Sequence, residues 1–254
     1  MMRMHLHSGG RLRMPRNVYY PGAGASEWFE MPVSCAMFKH RQGNVLFDTG
    51  CHPDAAINGE ARWGQHALYS EPIFSPQDAV IGQLAATGIT PEDIDLVVCS
   101  QLHYDHCGCN AFFVRATVIC HAKELEAARA DDALAMGYIH HDWELNRIIQ
   151  TVHGDHDVFG DGRLTLIPLP GHTLGSIGVH AVLDRSGAFL LASDAAPVEA
   201  SLRQHYAPSN TVDVDLYLAS LDIIGQYERE GAMVLFGHDD AQWQRVRKGR
   251  NSYD

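Results

Sequence analysis

The chain has 254 residues, 46% apolar and 20% charged, and a formal charge of −12 from 31 acidic and 19 basic side chains. This balance suits one globular domain over residues 1–254 with a sizeable core, and excludes a disordered or collagen-like chain. Net negative charge would repel a phosphate backbone, and no stretch is apolar for long enough to span a bilayer. Nucleic acid and membrane are therefore excluded as partners, and a soluble, cytoplasmic protein is expected.

The opening "MMRMHLHSGGRLRMPRN" is interrupted throughout by Arg, His and Gly and carries no secretory h-region. Short apolar runs that end in turn or polar residues then recur as strands: "VSCAMF", "VLF" before "DTG", "DLVVC" before "SQLH", "ATVIC", "LTLIPL" before "PGH", "AFLLA" before "SD", and "AMVLF" before "GH". Between them, Ser75-Pro76 opens a helix with Val80, Ile81 and Leu84 on its apolar face and Gly88 at its end. Helices are also expected over "AKELEAARADDALAM" and "VDLYLASLDIIGQYERE", and a long irregular loop over residues 51–75 is a candidate pocket wall. This order, without repeats or linkers, predicts an α/β fold with a two-sheet core and helices outside.

The six cysteines are too few and too unevenly spaced for a disulfide framework, so reduced thiols are expected, with Cys107 and Cys109 as small packing residues. Histidine, with 16 copies, is the unusual component. "SQLHYDHCG" places His103, Asp105 and His106 at the end of "DLVVC", where imidazole and carboxylate together suit Zn, Fe, Mn or Co. Three further residues follow apolar runs in the same way and are candidates to complete the shell: His172, Asp194 and His238.

With "FDTG", "HYDHCG", "PGHTLGS", "SDA" and "FGHD" in this order, the chain resembles metallo-β-lactamase-superfamily hydrolases over nearly its whole length. "MPVSCAMFKHRQGNVLFDTG", the bare Asp194 and the ending "FGHDDAQW" are most similar to N-acyl-homoserine lactonases and to relatives such as 4-pyridoxolactonase. The resemblance implies an αββα four-layer sandwich with two Zn2+ ions between the sheet edges. His103 and His172 would hold one, Asp105, His106 and His238 the other, with Asp194 bridging and Asp48 supporting from behind. It further implies opening of a lactone ring, with metal polarising the carbonyl and Asp105 passing a proton to the leaving oxygen, and a homodimer as the assembly.

Two positions depart from the pattern. Gln101 stands where the family has a first His, so it coordinates through its carbonyl, leaves water in the vacancy, or leaves only the Asp105/His106/His238 site occupied. Pro197 stands where acyl-homoserine lactonases carry a Tyr that holds the lactone carbonyl; Tyr104, Tyr138, His205 and Tyr206 are candidate replacements. Trp63, Phe74, Met136 and Trp143 are candidates to line an apolar pocket. A thioesterase, a β-lactam hydrolase or a non-catalytic binding relative would share the cluster.

Overall fold

Alternation along the strands sets the layering of the computed structural model, which describes residues 2–254. One sheet contains β1 (Arg3–Pro15), β2 (Trp28–His40), β3 (Gly43–Phe47), β4 (Glu71–Pro72), β5 (Leu96–Val98), β6 (Thr117–His121) and β7 (Ile149–Val152), in the order β4-β1-β2-β3-β5-β6-β7. The other contains β8 (His156–Asp157), β9 (Leu164–Pro168), β10 (Ile177–Leu183), β11 (Gly187–Ser193) and β12 (Met233–Phe236), in the order β12-β11-β10-β9-β8. The helices are α1 (Pro53–Ile57), α2 (Gly59–Trp63), α3 (Val80–Ala86), α4 (Ala122–Ala128), α5 (His140–Trp143), α6 (Glu199–Gln204), α7 (Val214–Arg229) and α8 (Asp240–Arg245).

Successive side chains on a strand point to opposite faces, and here both faces of the central strands are covered. Phe38, Phe47, Val98 and Ile119 of the first sheet meet Leu166, Val179, Phe189 and Leu191 of the second in one core. The alternate residues Met37, Leu46, Val97 and Val118 pack outward on Val80 and Leu84 of α3 and Ala128 of α4. Leu190, Ala192, Val234 and Phe236 pack outward on Tyr217, Leu221 and Ile224 of α7. The layers are thus helix, sheet, sheet, helix, the αββα sandwich expected.

The expected strands all form, but β1, β4, β7, β8 and β10 were not anticipated. β1 is the largest addition: Met4, Leu6, Leu12 and Met14 alternate inward along it and its middle is bulged between Ser8 and Arg11. The bulge brings Gly9 against Gly50; a Cβ on Gly50 would come within 2.4 Å of Gly9 Cα, and Cys51 N–H donates to Gly9 O at 2.8 Å. This close approach seats the turn that follows β3.

Two helix expectations change. The segment after Ser75-Pro76 begins as a 3-10 turn over Pro76–Asp78, and α3 starts only at Val80. The segment 122–136 breaks after Ala128 and resumes as a 3-10 turn over Ala133–Met136, because no apolar face continues through Arg129–Asp132 and Met136 turns outward. Residues 51–75 are also less irregular than expected, since α1 and α2 are each capped by a preceding side chain, His52 and Asn58.

β3, β5 and β6 run parallel, as do β11 and β12. Their carboxyl ends all open at one edge of the sandwich, where ligand sites of open sheets lie. Among the described residues, no helix is long and apolar enough to cross a membrane.

His7 on β1 is buried with neither ring nitrogen hydrogen-bonded, and burial pushes its pKa down to about 4, with the charges of His5 and Lys39 adding to the shift. A depressed folded pKa gives stability that is present above pH ~6.5 and lost as pH falls toward ~4, at about 1.4 kcal/mol per unit. Urea unfolding of His7→Leu at pH 7 and pH 4.5 should therefore show an acid-induced loss smaller than wild type by roughly 2–3 kcal/mol; equal losses would contradict this.

Candidate metal centre

Every acidic or imidazole candidate for metal binding lies just past a strand. The turn after β5 carries Gln101, His103, Asp105 and His106; the loop after β9 carries His172; Asp194 follows β11; and His238 follows β12. All of these except His103 are buried. The structure brings the whole set together in two halves that share Asp194.

In one half, His238 Nε2 lies 2.8 Å from Asp194 Oδ1 and 3.8 Å from Asp105 Oδ2, while His106 Nε2 lies 3.6 Å from each of these carboxylates. Ligand atoms of Asp105, His106 and His238 fall within 4.8 Å of one another. In the other half, His172 Nε2 lies 3.2 Å from Asp194 Oδ2 and 3.4 Å from His103 Nδ1, and the Gln101 amide lies 3.1 Å from Asp194 Oδ2. Ligands at ~2.0–2.1 Å around a tetrahedral ion stand roughly 3.3 Å apart, so these spacings fit.

Orphaned atoms support the same conclusion. His106 Nε2, His238 Nε2 and Asp194 Oδ1 are buried without a well-aligned hydrogen bond, even though the last two stand 2.8 Å apart, whereas buried polar groups almost always have one. Their tautomers are fixed from behind: His106 Nδ1–H donates to Asp48 Oδ2 at 2.9 Å and His238 Nδ1–H to Pro32 O at 2.8 Å. Each Nε2 is left with a lone pair aimed at the shared space.

The charge state matches. Burial would raise the Asp194 carboxyl, but the imidazoles of His238, His106 and His172 hold it well below its usual value. Burial would lower His106 and His238, yet both are raised by facing carboxylates, chiefly Asp105 for His106 and Asp194 for His238. Loss of water around the rings, even for the partly exposed His103, and for His103 the neighbouring imidazoles of His172 and His106, lower the pKa of His103 and His172. Carboxylates that favour positive charge on the His106 and His238 imidazoles equally favour a divalent cation between them, bound with release of any proton.

Asp48, in "FDTG", is central to the support. It accepts from Ser100 N at 2.6 Å and Ser100 Oγ at 2.7 Å as well as from His106, and Ser193 Oγ donates to Ser100 Oγ at 2.8 Å. Asp48 and Ser193 sit at φ 59° and 48°, a left-handed conformation that costs an L residue about 1 kcal/mol or more. This strain lies where two sheet edges are joined.

The candidate substrate contacts divide. Tyr104 lines the cavity of about 400 Å³ over the centre, with its hydroxyl donating to Ser70 Oγ at 2.7 Å. Tyr138 stands behind His103, ring edge to face at 4.7 Å, with its hydroxyl toward Glu124. His205 and Tyr206 do not reach the cavity. At the left-handed end of α6, His205 is turned outward to Asp222, and the Tyr206 hydroxyl donates to the Tyr19 carbonyl at 2.7 Å. Met136 lines the cavity, whereas Trp63, Phe74 and Trp143 pack in the hydrophobic clusters beneath.

Sequence reasoning missed Tyr19. Its ring stacks on His238 at 5.8 Å and it lines the same cavity beside Asn210, close enough to Asp194 and Asp105 to feel their charge. Burial first, then those carboxylates, raise its pKa, so it remains a hydrogen-bond donor. Cys107 and Cys109 are buried free thiols whose Sγ atoms face the Leu102 and Cys51 carbonyls, in keeping with packing roles.

A family model described as the metallo-beta-lactamase superfamily matches residues 28–238, and the chain belongs to that superfamily. It is 30% identical to N-acyl homoserine lactonase AttM of Azorhizobium caulinodans over 262 residues, covering 100% of this chain and 99% of that protein. It is 25% identical to N-acyl homoserine lactonase AiiA of Bacillus thuringiensis subsp. kurstaki over 244 residues, covering 94% of each. A solved N-acyl homoserine lactone hydrolase with N-hexanoyl-L-homoserine at its catalytic metal center shares the fold at TM-score 0.89 and 23% identity, covering 99% of this chain and 98% of that one.

Asp48→Asn keeps a residue type that tolerates a positive φ but turns an amide N–H toward His106 Nδ1, reversing the tautomer. Metal affinity, measured by competition with a chromogenic chelator, should fall about 10–100-fold. Unchanged affinity would show that Asp48 does not set the His106 tautomer.

Proposed function

We propose that this protein is a metal-dependent hydrolase that opens the ring of a small lactone, with N-acyl-homoserine lactones as the first substrate class to test. The observation that carries this reading is the convergence of the buried His106 and His238 Nε2 atoms on the Asp105 and Asp194 carboxylates beneath a cavity lined by Tyr19 and Tyr104. Full-length similarity to lactonases of the AttM kind supports the choice of reaction. Asp105, His106 and His238, with Asp194, would hold one cation, and His103, His172 and Asp194 with Gln101 a second; zinc is the metal we propose.

A divalent cation there supplies Lewis acidity, polarising a carbonyl and making water acidic enough to lose a proton near pH ~7. The remaining work falls to the chain. Met14, Val18, Met31, Met136 and Val212 give the cavity apolar walls suited to an acyl chain. The Tyr19 hydroxyl, kept protonated by its burial and the nearby carboxylates, donates to the lactone carbonyl oxygen as negative charge develops there. Asp105 sits at the cavity floor, where its carboxylate can pass the proton taken from water to the ring oxygen as the carbonyl carbon–oxygen bond breaks. Lactone and water thus yield a hydroxy acid. Buried, unpaired cysteines fit a reducing compartment, which supports a cytoplasmic location.

Acid release by the zinc- or cobalt-loaded protein, with a chelated control, tests this on acyl-homoserine lactones, simple aliphatic and aromatic lactones, a glutathione thioester and a β-lactam. Metal-dependent turnover of a lactone class is expected; turnover of only the thioester or the β-lactam, or of nothing, would reject the lactonase reading. Tyr19→Phe should lower kcat/KM on the preferred lactone about 10–100-fold with metal content unchanged, and an unaltered kcat/KM would remove Tyr19 from the reaction.

A further inference from the structure

Gln101 occupies a place in the half-site of His103 and His172 where only a lone-pair donor can bind a cation. The structure turns its amide nitrogen to His103 Nδ1 at 3.2 Å and Asp194 Oδ2 at 3.1 Å, and its oxygen to Ser176 Oγ at 3.4 Å. An amide oxygen can ligate a cation, whereas an amide NH2 presents only protons. The two ends exchange by a half-turn about the last side-chain bond.

The residues behind Gln101 decide between them. Glu124, at the start of α4 and wholly buried, accepts Leu102 N–H at 2.8 Å and the Thr173 hydroxyl at 2.6 Å, with Gly175 and Tyr138 close by. Gly175 is pressed so close that a Cβ there would stand 2.2 Å from Glu124 N. Burial pushes the Glu124 carboxyl up and these donors pull it down, and both of its oxygens are placed as acceptors, Oε1 for Leu102 N–H and Oε2 for the Thr173 hydroxyl. Thr173 therefore spends its one hydroxyl proton on Glu124. Thr173 Oγ1 lies 2.7 Å from Ser176 Oγ and takes that proton in turn, while Ser176 Oγ accepts Thr173 N–H at 3.1 Å.

With its proton spent, Ser176 can only accept from Gln101. The amide nitrogen belongs toward Ser176 and the oxygen toward His103, His172 and Asp194. With nitrogen inward, Nε2 gains the Asp194 contact but leaves Oε1 facing a hydroxyl oxygen with no proton to give. With oxygen inward, four lone-pair donors converge, an arrangement that is stable only around a cation.

We propose that Gln101 is an oxygen ligand of a second cation, and that Glu124, acting through Thr173 and Ser176, is the positioning residue that holds it oxygen-inward. This rests on the metal-centre reading above. Glu124→Gln reverses the relay: its amide N–H would donate to Thr173, Thr173 to Ser176, and Ser176 to the Gln101 oxygen, turning NH2 into the half-site. An imidazole at position 101 needs no such relay.

The test is metal per chain by mass spectrometry, with the cobalt visible spectrum, after loading with excess Co2+ and desalting. Wild type should hold two cations, Glu124→Gln one, and both Gln101→His and the double variant Glu124→Gln/Gln101→His two. One cation in wild type, two in Glu124→Gln, or one in the double variant would overturn the proposal, the last by showing that Glu124 only supports the surrounding loops. Should Glu124→Gln not fold, Ser176→Ala alone and with Gln101→His replaces it with the same expected counts of one and two. No cation in wild type would overturn the metal-centre reading itself.

Discussion

One buried carboxylate organises this end of the molecule. Asp194 faces His238 and His106 through Oδ1 and His172 and Gln101 through Oδ2, with almost no contact with solvent. An ionised carboxylate in that setting is costly unless positive charge stands beside it. The side chains around it supply nitrogen lone pairs and a second carboxylate, so the charge that balances it must be protons on imidazole or a bound cation. The rest of the site follows from this requirement.

The two sheets bring that charge into place. Asp194 and His238 come from the second sheet, Asp105 and His106 from the first, and neither sheet alone presents a complete set. The Asp48, Ser100 and Ser193 hydrogen bonds join the edges, and the positive φ values at Asp48 and Ser193 show backbone bent against its preference to achieve it. The inter-sheet core of Phe38, Phe47, Leu166 and Phe189 supplies the stability that tolerates such strain.

Much of this was legible in the sequence because metal ligands at strand ends break the packing pattern: two histidines and an aspartate in four positions after "DLVVC" have no core role. His172, Asp194 and His238 were legible for the same reason. β1 was not, because its alternating Met, His and Arg lack the β-branched residues that mark strands. Glu124 read as one more polar residue of a helix; its partners Leu102 and Thr173 lie 22 and 49 residues away, and only folding joins them. Tyr19 lies in a turn-rich stretch held in place by Ser209 N–H on the Val18 carbonyl and the Tyr206 hydroxyl on its own, partners far along the chain. His205 and Tyr206 were candidates as hydrogen-bonding residues of a later loop, and the end of α6 carries them past the cavity.

The most direct test of the central claim is anomalous diffraction from crystals of the cobalt- or zinc-loaded protein, recorded on both sides of the metal's absorption edge. The account predicts a peak enclosed by Asp105, His106, His238 and Asp194, and a second enclosed by Asp194, His103, His172 and Gln101. Anomalous density absent from this cluster, or confined to other surfaces of the protein, would contradict it.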